Sequence, residues 1–196
     1  VSAFPVQHRG PGCFGFTFEE KARRPFLAEK AEALGVPFGP ERARLVQGEA
    51  VTLADGRVIR PEQVLGEEIR GTKYVHIGDV GRTNDLVPHC RDATCLTIEA
   101  TYMDEEAQMA EEFGHLTALQ AAKLAREADV GTLILTHLSR RYFGRDIRDE
   151  ARAIFPATYV ARDLDQFQIT REGVTRLPRR RREEVEEVVE EINGPE

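Results

Sequence analysis

Thr132-Leu133-Ile134-Leu135-Thr136-His137 is an uncharged, apolar run closed by a histidine. Its unbroken apolar character predicts a strand buried on both faces. A similar strand, Lys73-Tyr74-Val75-His76-Ile77, ends at Gly78-Asp79, and Ala93 to Ile98 reads as the strand between them. Helical patterns separate these strands. Asp104 is read as the cap of a helix to about Phe113, broken by Gly114, and Thr117 as the cap of a second helix ending near Ala128. Asp146 to Ile154 is a further helix, stopped by Pro156. Strands alternating with helices put the chain in the α/β layered class.

Outward from this centre the pattern changes. Residues 1–18 read as two short strands around Gly10-Pro11-Gly12, with Phe14, Phe16 and Phe18 alternating along the second. Residues 19–50 are charged and carry Pro25, Pro37 and Pro40, with one short helix signal from Phe26 to Leu34 closed by Gly35. That segment reads as an excursion from the core. Val51-Thr52-Leu53 and Arg57-Val58-Ile59 flank Asp55-Gly56, a hairpin signal. Thr158 to Ala161 and Gln166 to Thr170 read as closing strands. Beyond them, residues 171–196 read as a charged tail, with Arg179 to Arg182 followed by a helical pattern in which Val185, Val188, Val189 and Ile192 share one face.

Composition bounds the function. With 41% hydrophobic residues the 196-residue chain can bury a sizeable core. No apolar run approaches the roughly 20 residues of a membrane-spanning helix. A formal net charge of -7 argues against a generic nucleic-acid coat, although local arginine clusters remain. Three cysteines, Cys13, Cys90 and Cys95, form no C-x-x-C pair. So sparse a set points to a reducing cytoplasm rather than a disulfide framework. The chain opens on strand-like sequence without a methionine, as a processed chain or the second part of a longer polypeptide would.

Three polar residues end or follow apolar strands: His8, Asp79 and His137. Strand ends in layered α/β folds converge on one sheet edge, where ligands bind. Two imidazoles and a carboxylate there are the donors of a zinc centre. Taken singly, each has a plainer reading as a hydrogen-bonded histidine or a turn aspartate. Glu99 and His115 lie at a strand end and a helix start, placed to orient ligands or move a proton. His76 and His89 sit at no strand end and read as structural or exposed.

An ordered series of blocks now resembles the ribonuclease Z family of the metallo-β-lactamase superfamily, from residue 1 to about Thr170. The blocks are Val6-Gln7-His8-Arg9 with Phe14-Gly15-Phe16, then Glu29-Lys30-Ala31 through Gly35-Val36-Pro37-Phe38-Gly39-Pro40. Leu45-Val46-Gln47-Gly48 and Val51-Thr52-Leu53-Ala54-Asp55-Gly56-Arg57 follow. Gly78-Asp79, Glu99-Ala100-Thr101, Gly114-His115 and Thr136-His137-Leu138-Ser139-Arg140-Arg141-Tyr142 complete the set.

The resemblance implies the C-terminal half of an αββα sandwich over residues 1–170, with a protruding arm over about residues 19–60. It implies His8 as a ligand of one zinc, Asp79 as the carboxylate bridging two zincs, and His137 as a ligand of the second. Glu99 and His115 match a catalytic pair that orients the site and protonates the leaving group. Lys21, Arg23, Arg24, Lys30, Arg42 and Arg44 of the arm become RNA phosphate contacts, and Arg140 and Arg141 join them beside the site. The implied substrate is pre-tRNA, cleaved at its 3′ trailer by two-zinc hydrolysis in the cytoplasm, with no membrane or DNA partner. The family's His-x-His-x-Asp-His motif is not in this chain, so its zinc set is incomplete. The chain alone is expected to be inactive and to act as a homodimer or with an N-terminal half in trans. Val80, Ile98 and Leu116 stand where the family carries polar residues, which is expected to thin the hydrogen bonding around the site. Two other readings stand beside this one: a non-catalytic RNA-binding or interaction module of the same fold, and a related hydrolase acting on another phosphodiester or ester.

Overall fold

The computed structural model describes residues 1–10 and 12–179. The chain divides into two units, one of Val1–Glu19 and Thr72–Glu196, the other of Glu20–Gly71. The first unit opens with strands β1 (Ser2–Pro5) and β2 (Phe14–Glu19). The second unit holds helices α1 (Ala28–Ala33) and α2 (Pro40–Val46), strands β3 (Val51–Thr52) and β4 (Val58–Ile59), and helix α3 (Pro61–Val64). The first unit then resumes with β5 (Lys73–Ile77), α4 (Val87–Cys90), β6 (Cys95–Glu99), α5 (Ala107–Phe113) and α6 (Ala118–Glu127). It continues through β7 (Thr132–Thr136), α7 (Gly144–Ile154), β8 (Thr158–Val160), β9 (Phe167–Thr170) and β10 (Gly173–Arg176).

One sheet organises the first unit, in the order β1-β2-β5-β6-β7-β8. β1, β2 and β5 run antiparallel, and β5 through β8 run parallel. Alternation along each strand sends Phe4, Val75, Ile77, Leu96, Ile98, Leu133 and Leu135 into one core. Leu116, Ala121, Ala122 and Leu124 at α6 and Ile147 and Ala151 of α7 close that core. The small alanine face of α6 lets the helix lie close on the parallel strands. On the opposite face of β2, Phe14, Phe16 and Phe18 stay 50%, 40% and 44% exposed, an apolar stripe beside Tyr74 and His76.

The second unit has a core of its own, built from Ala31, Val36, Leu45, Val51, Ile59 and Val64. It is longer than the arm expected over residues 19–60. The outgoing chain comes back beside the incoming one: Arg23 and Ile69 exchange backbone hydrogen bonds of 3.0 and 2.7 Å, and Gly66 N–H donates to the Pro25 carbonyl at 2.8 Å. Two prolines open helices in this unit. Pro40 and Pro61 start α2 and α3 rather than breaking structure, because a first-turn N–H needs no partner.

Two further expectations change. Asp104 does not cap a helix. It begins a 3₁₀ turn over Asp104–Glu106, its N–H donates to the Glu150 carboxylate at 3.1 Å, and α5 starts only at Ala107. Residues 173–176 are a strand, not tail: Arg171-Glu172 turns the chain and β10 pairs with β9. The helix expected beyond Arg182 lies outside the described residues. Among the described residues no helix is long and apolar enough to cross a membrane.

Candidate metal centre

Parallel register brings the strand ends together. Glu99, at the end of β6, is paired with Thr136 at the end of β7, and Asp79 follows β5 by two residues. Gly81 N–H donates to the Gln7 carbonyl at 2.7 Å, which ties the Asp79 loop to the segment carrying His8. His8, Asp79 and His115 each present one donor atom, and these atoms lie within 4.8 Å of one another. The Asp79 carboxylate stands between two imidazoles. Its Oδ2 is 4.0 Å from His8 Nε2 and its Oδ1 is 3.5 Å from His137 Nε2.

Each ring is aimed by its other nitrogen. His8 Nδ1 donates to the Gly114 carbonyl at 2.7 Å, so its Nε2 is left as a lone-pair donor. Gly114 closes α5 with φ +69, a left-handed conformation that turns this carbonyl toward His8 and that favours glycine. His115 Nδ1 donates to Glu99 Oε1 at 2.8 Å. His137 holds φ +55, uncommon for a residue with a side chain, at the turn where β7 ends.

Glu99 is the anchor. It is fully buried and accepts five hydrogen bonds. Oε1 takes Val80 N–H at 2.9 Å and His115 Nδ1; Oε2 takes Thr101 Oγ1 at 2.6 Å, Leu116 N–H at 3.2 Å and Thr101 N–H at 3.3 Å. A buried carboxylate is sustained by such a donor set. The apolar side chains of Val80, Ile98 and Leu116 give the site no hydrogen bonds of their own. Val80 and Leu116 serve Glu99 through backbone N–H groups, while all three side chains are buried in the core.

The donor set fits a divalent metal such as zinc: two imidazoles and a carboxylate, with the rings held by hydrogen bonds behind them. His115, expected as a proton donor, lies in the three-residue group, while His137 stands on the other side of Asp79. The thiols take no part. Burial pushes Cys90 and Cys95 up to about 12, so both stay protonated. A cavity of about 410 Å³ opens beside His8, with Arg9, Arg82, Glu111 and Glu112 in its wall. Thr101, whose hydroxyl serves Glu99, was legible only as part of a motif. It stands two residues past Glu99, just beyond the end of β6, where its hydroxyl comes back to the carboxylate at 2.6 Å.

The expected RNA contacts divide. Lys21, Arg23 and Lys30 in the second unit and Arg140 in the first are exposed, with no side-chain partner among the described residues. Arg42 is committed to its own unit: its guanidinium lies 3.7 Å over the Phe38 ring, donates to the Val36 carbonyl at 3.1 Å and pairs with Glu32. Arg24 donates to the Gly66 carbonyl at 2.8 Å, Arg44 pairs with Glu49 at 2.9 Å, and Arg141 pairs with Glu106 at 3.0 Å. An arginine already spending its donors on the protein is a weaker phosphate contact than a free one.

Residues 40–138 match the family described as the beta-lactamase superfamily domain. A protein of Bradyrhizobium diazoefficiens named Ribonuclease Z is 46% identical over 169 residues, covering 86% of this chain and 56% of that protein. One of Gemmatimonas aurantiaca with the same name is 40% identical over 172 residues, covering 86% and 55%. The crystal structure of the metallo-β-lactamase fold protein YhfI from Bacillus subtilis aligns with a TM-score of 0.44 and 26% identity, over 46% of this chain and 38% of that one. The chain spans about half the length of the curated relatives it matches. With the family's model matched over half of this chain, and the strand ends gathered around Asp79 and Glu99, this chain belongs to the beta-lactamase superfamily domain family and has the α/β fold of a metallo-β-lactamase.

Proposed function

We propose that this chain supplies part of the zinc centre of an endoribonuclease that removes the 3′ trailer from pre-tRNA. The observation that carries this reading is the convergence of His8, Asp79, His115 and His137 on one sheet edge, in a chain 46% identical to a protein named Ribonuclease Z. The enzyme acts in the cytoplasm, as a homodimer or with an N-terminal part in trans that brings a His-x-His-x-Asp-His motif. The apolar stripe of Phe14, Phe16 and Phe18 is the surface on which the second sheet of that part packs.

Zinc bound here supplies Lewis acidity, polarising the phosphodiester and activating water. The chain's own residues do the rest. Asp79 holds its two oxygens toward imidazoles on either side. Glu99 fixes the His115 tautomer, and the Gly114 carbonyl fixes that of His8. Lys21, Arg23, Lys30 and Arg140 offer free cations to the RNA backbone.

The test is cleavage of a 3′-extended pre-tRNA by this chain with zinc, with and without a second polypeptide carrying the His-x-His-x-Asp-His motif. Expected is cleavage only when both are present, abolished by a chelator and by His8→Ala. Binding of pre-tRNA that ignores zinc, with no cleavage under any combination, would establish the non-catalytic reading instead.

A further inference from the structure

The loop from His137 to Phe143 leaves the metal centre pinned at several points. Ser139 N–H donates to the Thr101 carbonyl at 3.2 Å, and the Thr101 hydroxyl, which serves Glu99, lies 3.0 Å from the His137 carbonyl. Leu138 and Tyr142 pack on the core of the first unit. The Tyr142 hydroxyl donates to Glu106, and Arg141 is held by the same carboxylate and by Met109 Sδ at 3.1 Å. With these side chains turned inward or tied down, the loop presents Arg140 and Phe143 outward.

Phe143 is 68% exposed, which is unusual for a ring on so well anchored a loop. The Arg145 guanidinium stands 5.0 Å from its centroid and supports the ring, and Arg145 in turn leans on Asp146 at 3.3 Å. Arg140 is exposed, with no side-chain partner among the described residues. An exposed aromatic face three residues along the same loop from an unneutralised guanidinium offers what a single-stranded nucleotide needs: a platform for the base and a cation for the phosphate.

We propose that Phe143 and Arg140 form a nucleotide clamp at the rim of the metal centre, Phe143 stacking on a base of the single-stranded RNA next to the scissile bond and Arg140 meeting its phosphate. This rests on the reading of the substrate as RNA. Stacking on a phenyl ring is tolerant of base identity, so the clamp orients unpaired RNA without selecting a sequence.

The chain has no tryptophan, so Phe143→Trp introduces a single emission probe into the full chain. Titration with a short single-stranded oligoribonucleotide should quench that emission, and an abasic oligomer of equal charge should not. Phe143→Ala should weaken binding of the base-bearing oligomer roughly 5- to 150-fold, with Phe143→Tyr restoring it. Arg140→Gln should lower the slope of binding against salt by about one contact. The clamp is overturned if Phe143→Ala binds the oligomer like wild type, or if the tryptophan stays unquenched while wild type binds. In that outcome the RNA reading survives. If wild type binds neither oligomer nor pre-tRNA, the RNA reading itself fails and the clamp with it.

Discussion

A single carboxylate sets the geometry of the candidate metal centre. Glu99 touches no more than one of the four convergent side chains, yet it links three loops: that of Asp79 through Val80 N–H, that of His115 through its ring, and that of His137 through Thr101. Glu99→Gln replaces one anionic oxygen by an amide that can only donate. It therefore faces at least one N–H or O–H with another donor. Zinc affinity should fall by about 10- to 100-fold, the usual consequence of losing a ligand's supporting acceptor. Calorimetric zinc titration checks this, and an unchanged affinity would remove Glu99 from its positioning role. At the same scale, the free arginine is more informative than the paired one. Arg42 and Arg141 sit in stretches that look equally basic in sequence, but their guanidinium groups are occupied by Phe38 and Glu106.

Element ends carry the next level of control. Thr117 caps α6 through a reciprocal pair, accepting from Gln120 N–H at 3.1 Å while Gln120 Oε1 accepts from Thr117 N–H at 2.9 Å. The helix it starts supplies the alanine face of the core. Thr117→Ala should lower stability by about 1 kcal/mol, read as a lower thermal midpoint, with Thr117→Ser recovering most of it. The β9–β10 hairpin is held differently. The Asp165 side chain is 1% exposed and accepts from Arg176, from Arg162 N–H at 2.8 Å and from Arg179 Nε at 2.9 Å. Burial alone would raise its carboxyl. The hydrogen bonds from Arg176, Arg162 and Arg179 outweigh that and hold it at about 2, below the ordinary 3.8. A depressed carboxyl stabilises the fold above its unfolded value, and that contribution is lost as pH falls through the folded one. Asp165→Asn should therefore lower stability at neutral pH by on the order of 1–2 kcal/mol, discounted because both arginines are partly exposed. The gap from wild type should narrow as pH falls from about 4 to about 2. A gap independent of pH in thermal melts would refute this account.

Over the whole molecule, two hydrophobic cores replace one. Leu45 is fully buried in the second core, and none of the residues of that cluster belongs to the first. Leu45→Ala should destabilise the unit of residues 20–71 by about 2–5 kcal/mol. Amide exchange should rise across that unit, with zinc affinity at the metal centre unchanged. Exchange rising equally in β5, β6 and β7 would show that the two cores are not separable. The apolar stripe on β2 belongs to this scale too. Its phenylalanines alternate as a strand facing a second layer would, and the relatives extend well beyond the length of this chain.

Local patterns were sufficient for much of this protein. The apolar run at 132–136, the Thr117 cap and the alternation of Phe14, Phe16 and Phe18 each act within a few residues, so strands, helices and the α/β class were legible in sequence alone. So was the candidacy of His8, Asp79, Glu99 and His137, because strand ends are visible as places where apolar runs stop, and that of His115, beside the Gly114 break and the Thr117 cap. Features that depend on distant partners were not legible. The boundary of the second unit at Gly71 follows from Ile69 pairing with Arg23, 46 residues apart in the numbering. The support of Glu99 by the N–H groups of Val80 and Leu116 has no trace in side-chain identity, since every residue but proline carries that donor. Tertiary structure alone decided which backbone groups converge, because hydrogen bonding of a buried carboxylate is satisfied by position in space rather than by residue type.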